Sequence, residues 1–265
     1  MQALEDMGEL DNTIVAMTGD HGIPFFLCKS NLYDSGTRVA LAIRWPDNVK
    51  ADRQTDDFVS LTDLAPTFLQ AAGVELPADA TGRSLMAILT SDRSGRIDKQ
   101  RDYVLVGKER HAPGQEKPDR GGYPCRGIRT HEFFYIRNFK PERWPNGTPD
   151  YKNAALPGNW YADTDNGPTK TYMVDNKEKD EVHRRLYDLS FAKRPAEELY
   201  DLRKDPDQLK NVADDPAYAE AKKKLAAQLT ADLRATKDPR EVGGVDFDGY
   251  PYLGGGPKFP GWKRK

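Results

Sequence analysis

Residues 12–46 read NTIVAMTGDHGIPFFLCKSNLYDSGTRVALAIRWP. Thr13-Ile14-Val15-Ala16-Met17 is a short apolar, β-branched run that stops abruptly at Thr18-Gly19-Asp20-His21-Gly22. This is how a buried strand delivers polar side chains to a sheet edge. In a doubly wound sheet, ligands bind in the crevice outside the carboxyl ends of the strands, and glycines flanking an acid and an imidazole let the backbone turn sharply beside a ligand. Asp20 and His21 are therefore candidate metal ligands. Taken alone, Gly19-Asp20-His21-Gly22 reads more simply as a tight turn capped by Asp20. The continuation changes that balance: Lys29-Ser30-Asn31-Leu32-Tyr33, then Asp34-Ser35-Gly36-Thr37-Arg38-Val39, a second apolar strand Ala40-Leu41-Ala42-Ile43, and Arg44-Trp45-Pro46.

That succession resembles the second signature of the sulfatase family: strand, G-D-[HN]-G, loop, basic residue, Y-[ED]-x-G-[TI]-R-V, strand, R-W-P. The run Lys29 to Tyr33 is similar to that of members acting on sulfated sugars, the heparan N-sulfatase group included. The resemblance implies an α/β fold: the C-terminal part of an alkaline-phosphatase-like α/β sandwich, followed by a small antiparallel-sheet subdomain with a C-terminal helix. It implies a sulfuric ester or sulfamate hydrolase of sulfated sugars, with Asp20 and His21 in the metal shell and Lys29 as the catalytic-site charge on the sulfate. Calcium prefers oxygen ligands, so a histidine here leaves Ca²⁺ first and Mg²⁺ second. Arg38 is expected to brace its loop by pairing with Asp34.

The resemblance also says what to look for and not find. Family members carry, upstream, a paired-aspartate metal motif, a C/S-x-P-x-R box whose Cys or Ser becomes formylglycine, and a Lys and a His for the leaving group. Cys125-Arg126-Gly127-Ile128-Arg129 has Cys and Arg at the right separation but Gly127 in place of the Pro, at the wrong place in the family order. Cys28-Lys29-Ser30 fails more plainly. No nucleophile is assigned in this chain; the formylglycine is expected in a missing N-terminal part. The chain reads as a C-terminal fragment, inactive alone, whose partners are a sulfated saccharide and the missing N-terminal half of the catalytic domain. The family implies a periplasmic, secreted or lysosomal setting.

With 265 residues, 37% hydrophobic and 31% charged, the chain can bury a real core. Forty basic against forty-two acidic residues give a formal charge of -2, so no global field draws it to nucleic acid or membrane, and no segment is long and apolar enough for a span. Its two cysteines make no disulfide framework and no zinc spacing.

Three regions are expected: 1–100 as the C-terminal part of the α/β catalytic domain, 101–240 as a small α+β subdomain, and 241–265 as a Gly/Pro/aromatic tail lying extended or loose. In the first, residues 59–73 predict a helix capped by Ser60 or Thr62, with Leu61, Leu64, Ala65, Phe68 and Leu69 on its apolar face and a stop at Gly73. Residues 91–101 read as a solvated linker. In the second, a strand is expected at 103–107, a hairpin about Thr130-His131-Glu132, and a helix over 216–235 with Tyr218, Ala221, Leu225, Leu229 and Leu233 inward and Lys222, Lys223 and Lys224 in water, while residues 198–213 resemble the family's closing motif.

For the sugar, Arg110, His111, Arg120 and Arg126 are candidates, because guanidinium forks read polyanionic sugars. His111 stands out, since the N-sulfatase group carries a histidine after the same strand. His131 and His183 are expected to face solvent, and Asn146-Gly147-Thr148 satisfies a glycosylation sequon. Two rival functions stay open: a phosphodiesterase or phosphomutase of the same superfamily, which extra His and Asp ligands would mark, and a non-catalytic sulfated-glycan-binding remnant.

Overall fold

The computed structural model describes residues 1–23, 26–155, 160–244 and 247–250. Most of the expected tail lies outside the described residues. In chain order the elements are α1 Gln2–Asp6, β1 Val15–Thr18, α2 Asp34–Thr37, β2 Leu41–Arg44, α3 Leu64–Ala71, α4 Met86–Leu89, β3 Tyr103–Lys108, β4 Cys125–Thr130 and β5 Phe133–Asn138. They continue with α5 Pro168–Asp175, α6 Glu181–Phe191, β6 Glu197–Asp201, α7 Ala219–Ala235 and α8 Pro239–Val242.

Strands β3 to β6 form one antiparallel sheet in sequence order. Side chains alternate across a strand, so its register sorts residues onto two faces. Leu105, Ile128, Tyr135 and Leu199 stand in one row, and this face packs on Leu225, Leu229 and Leu233 of α7. These are the inward positions that the helical spacing predicts. Lys222 departs from the expectation: it is half-buried and lies 3.5 Å from Glu197.

The opposite face presents Phe134, Ile136 and Tyr200, with Cys125, against Leu32 and Tyr33. The sheet is thus held between α7 and the segment that carries Lys29. The same alternation places Lys108, Asn138 and Glu198 on that second face, which is how a regular strand pattern delivers polar groups toward the segment around residue 30.

Among residues 1–100, β1 pairs antiparallel with β2, Val15 opposite Arg44 and Thr18 opposite Leu41. The expected buried strand is only partly covered: Met17 is 71% exposed. Ser60 caps the predicted helix in a capping box with Asp63, a 3₁₀ turn at Leu61–Asp63 precedes α3, and Gly73 ends it at φ +68°. Its expected apolar face is not uniformly inward, since Leu61 and Phe68 are exposed while Pro66 and Thr67 are buried. Leu64 packs with Leu85, Ile88 and Leu89. The 91–101 stretch is more than a linker. Arg101 is 2% exposed and donates to Asp63 at 2.7 Å and to the carbonyls of Phe58, Arg83 and Ser84, a buried charge whose fork is satisfied by one carboxylate and three backbone oxygens.

Helices α5 and α6 are not foreseen by periodicity. In α6 the apolar Val182 and Leu186 face outward, while Tyr187, Ser190 and Phe191 are buried with Tyr161 and Phe26. An aromatic cluster, not an aliphatic stripe, seats that helix. His183 is correspondingly not a plain surface residue: it bridges Asp180 at 2.7 Å and Tyr172 at 3.0 Å at the helix start.

Candidate functional site

Two backbone hydrogen bonds fold the segment that carries Lys29 back on the Asp20-His21 turn. The Gly22 amide donates to the Gly36 carbonyl at 2.9 Å, and the Lys29 amide to the Ile23 carbonyl at 3.1 Å, which returns Lys29 to the end of the Asp20-His21 turn. Both glycines are required by close approach. A Cβ on Gly22 would stand 2.0 Å from the Ser35 carbonyl oxygen, and one on Gly36 2.2 Å from that of Cys28. The backbone on either side of Lys29 is left-handed, at Leu27 (φ 56°) and Ser30 (φ 64°), and such conformations persist only where surroundings over-determine them. Here the surroundings are the Ser35 hydroxyl donating to the Leu27 carbonyl, the Asn31 amide donating to Asn146, and Tyr33 donating to buried Glu198.

The Asp20 carboxylate is 89% exposed and one of its oxygens lies 3.6 Å from His21 Nε2. His21 Nδ1 is 2.6 Å from the Gly22 carbonyl oxygen, which only accepts, so Nδ1 carries a proton and Nε2 is the ring nitrogen that faces the carboxylate. Two donors at that separation can share a single cation with metal–ligand distances of about 2.3–2.5 Å. Among the described residues no group of three or more His, Cys, Asp or Glu is placed to hold a metal. The residues present therefore fit part of a coordination shell.

Lys29 and His111 meet one short turn, Asp163-Thr164-Asp165. Lys29 Nζ donates to Asp165 at 3.1 Å, and His111 Nδ1 lies 2.9 Å from Asp163. Lys108 Nζ donates to the other Asp163 oxygen at 3.3 Å and to the Pro145 carbonyl. The turn itself is held by Lys170, 4% exposed, whose ammonium reaches the carbonyls of Trp160, Tyr161 and Thr164 and the side-chain oxygen of Asn166. Desolvation lowers that ammonium toward about 8. Sequence reasoning missed Asp163, Asp165 and Lys108. In a polar stretch of Asp, Thr and Asn, two carboxylates carry no periodic signal; Lys108 lies one residue past the strand predicted at 103–107, and the observed β3 extends to include it.

The other sugar candidates fare differently. Arg110 donates to the carbonyls of Arg120 and Tyr250, and Arg120 itself is exposed. Arg126 corrects the expectation: it is 9% exposed, and its five N–H donors meet Asp238 twice, Glu109, and the carbonyls of Lys108 and Cys125. A guanidinium with every donor committed to the protein is a structural brace. The expected Arg38–Asp34 pair is also replaced, because Asp34 accepts two bonds from Arg129. Cys125 is buried and burial pushes its thiol up to about 11, in keeping with its rejection as a nucleophile. The Asn146 side chain is 1% exposed and bonded through both amide atoms, to Asn31 and to the Ser190 carbonyl, so the sequon does not offer an accessible amide in the folded chain.

A family model described as N-sulphoglucosamine sulphohydrolase, C-terminal, matches residues 19–145, the span that holds the Asp20-His21 turn, Lys29 and His111. The match marks residues 19–145 as similar to a C-terminal sulfatase region. An ulvan-active sulfatase of Formosa agariphila is 29% identical to this chain over 235 residues, covering 87% of it and 35% of the relative. The human N-sulphoglucosamine sulphohydrolase is 29% identical over 250 residues, covering 90% of this chain and 45% of the relative. A structure of a protein in complex with its substrate D-glucosamine-2-N,6-O-disulfate superposes with a TM-score of 0.60 at 25% identity, over 94% of this chain and 38% of the other. A phosphonate monoester hydrolase of Agrobacterium radiobacter shares the fold, with a TM-score of 0.54 at 24% identity over 88% of this chain and 37% of that one. The chain spans less than half the length of each of these proteins. The fold is that of the matching portion of solved sulfatases.

Proposed function

We propose that this chain supplies the C-terminal portion of a hydrolase of sulfated saccharides, with Lys29 as the sulfate contact and His111 at the sugar side. The observation that carries the reading is the meeting of Lys29 and His111, 82 positions apart, on the one Asp163–Asp165 turn, beneath a family match that includes both. A sulfate ester gathers charge on its bridging oxygen as the S–O bond breaks, so a fixed ammonium and a cation are the groups it needs. Asp20 and His21 would hold part of that cation's shell, Ca²⁺ before Mg²⁺, and the bound ion would polarise the sulfate. Lys29 binds and orients the sulfate as a point charge; His111, oriented through Nδ1 by Asp163, presents Nε2 to a sugar oxygen. No described helix is long and apolar enough to cross a membrane, and one relative, a SULF-1 homologue of Drosophila melanogaster, is named an extracellular sulfatase; both accord with a secreted, periplasmic or lysosomal setting.

The sequence holds no C/S-x-P-x-R box, so the 265-residue chain is inactive by itself and a formylglycine would come from a further portion. The test is an assay of this chain on sulfated oligosaccharides and a sulfated aryl ester with Ca²⁺, beside a form extended upstream. The expected result is turnover by the extended form alone. Comparable turnover by the short chain would overturn the assignment, and hydrolysis of phosphodiesters in preference to sulfates by the extended form would favour the phosphodiesterase reading.

A further inference from the structure

The three lysines around the Asp163–Asp165 turn are not equivalent. Lys170 is spent on four acceptors, and Lys108 on a carbonyl and Asp163. Lys29 has a single acceptor among the described residues, Asp165, so an ammonium with three donors retains capacity for an incoming anion. The partner carboxylate is 53% exposed against 18% for the lysine, so it stands on the solvent side of the charge it neutralises. The backbone that carries Asp165 is held in place. The turn that presents it is pinned on one side by Asp163, through Lys108 and His111, and on the other by the Lys170 ammonium on Thr164 and Asn166.

Resting on the reading of Lys29 as the sulfate contact, we propose that Asp165 is a specificity-determining residue: a fixed anion that shares Lys29 with the sulfate. A carboxylate only accepts hydrogen bonds, so it is satisfied by a sugar hydroxyl or amide N–H beside the bound sulfate. A second sulfate or carboxylate in the same place meets a like charge a few ångströms away. For a half-exposed site, that repulsion is worth about a three- to ten-fold difference in affinity. The site therefore favours sulfates whose neighbour on the sugar is a donor over sulfates flanked by a second anionic group.

The test is calorimetric titration of the 265-residue chain with N-acetylglucosamine 6-sulfate and with glucosamine 2-N,6-O-disulfate, for the wild type, Asp165→Asn and Lys29→Met. Circular dichroism checks that each variant folds, with Asp165→Ser read in the same way if Asp165→Asn does not. Lys29→Met is expected to abolish binding of both probes. Asp165→Asn is expected to lower the preference for the monosulfate over the disulfate about three- to ten-fold. An unchanged ratio in Asp165→Asn, with Lys29→Met still abolishing binding, overturns the role of Asp165 and leaves the sulfate contact standing. Binding unaffected by Lys29→Met, or no binding of either probe by wild type and Asp165→Asn alike, overturns both.

Discussion

Glu198 is 3% exposed and accepts hydrogen bonds from Tyr33 at 2.8 Å, Tyr200 at 2.6 Å and Asn138 at 2.8 Å. Burial, reinforced by this carboxylate, raises both phenols, so they remain donors throughout the accessible pH range. Because Tyr33 belongs to the segment after Lys29 and Glu198 to β6, this one side chain joins the Lys29 loop to the sheet. Glu198→Ala would leave three buried donors without acceptors and is expected to cost roughly 3–5 kcal/mol in chemical denaturation, with Glu198→Gln costing less. Asp201 gives the acid limb. Hydrogen bonds from Arg203 hold its carboxyl down to about 2, below the ordinary value of 3.8. A depressed carboxylate contributes stability that is complete above the unfolded value and is lost as pH falls toward the folded one. With Arg203 half exposed, the loss between pH 4 and 2 should be about 1 kcal/mol, and it should vanish from the pH dependence of Asp201→Asn.

The segment that carries Lys29 and the α7 helix make different demands. Gly22→Ala drives a methyl onto the Ser35 carbonyl, and by overpacking alone should cost about 1–3 kcal/mol, displacing Lys29 from its partner. Gly167→Ala, where nothing lies within 4 Å, is the control and should leave the melting temperature nearly unchanged. In α7 the energy is in apolar burial: Leu229 is fully enclosed between Ile128, Tyr135 and Leu199, and Leu229→Ala should cost about 2–5 kcal/mol in the same measurement. That element was legible because its apolar residues recur at helical spacing. Helix α6 was not, because aromatic packing overrode the outward-facing Val182 and Leu186.

Across the whole molecule, the sheet and α7 form a closed core, whereas the region around β1 leaves Met17 71% and Ile23 65% exposed, with Leu61 and Phe68 partly so. Large exposed apolar side chains next to a short two-stranded ribbon favour association. Light scattering of the 265-residue chain is expected to show concentration-dependent self-association that Met17→Lys reduces; a monodisperse monomer at high concentration would contradict this. The two free cysteines are both buried, at Cys28 and Cys125, so a reductant should not change the behaviour.

What residues 12–46 determined by themselves was the succession of strand, acid–imidazole turn, lysine loop and strand, because local propensity and a motif with fixed spacing are properties of neighbours along the chain. The hairpin about residues 130–132 and the inward face of 216–235 followed in the same way, since periods of two and of 3.6 are written into the order of residues. Tertiary structure alone decided which charges meet. Asp34 turned to Arg129 and not to Arg38, Arg126 was enclosed by Glu109 and Asp238, and Asp163 and Asp165 gathered His111, Lys108 and Lys29 from far along the chain. Ion pairing follows distance and burial in space, and a Coulomb interaction carries no trace of sequence separation.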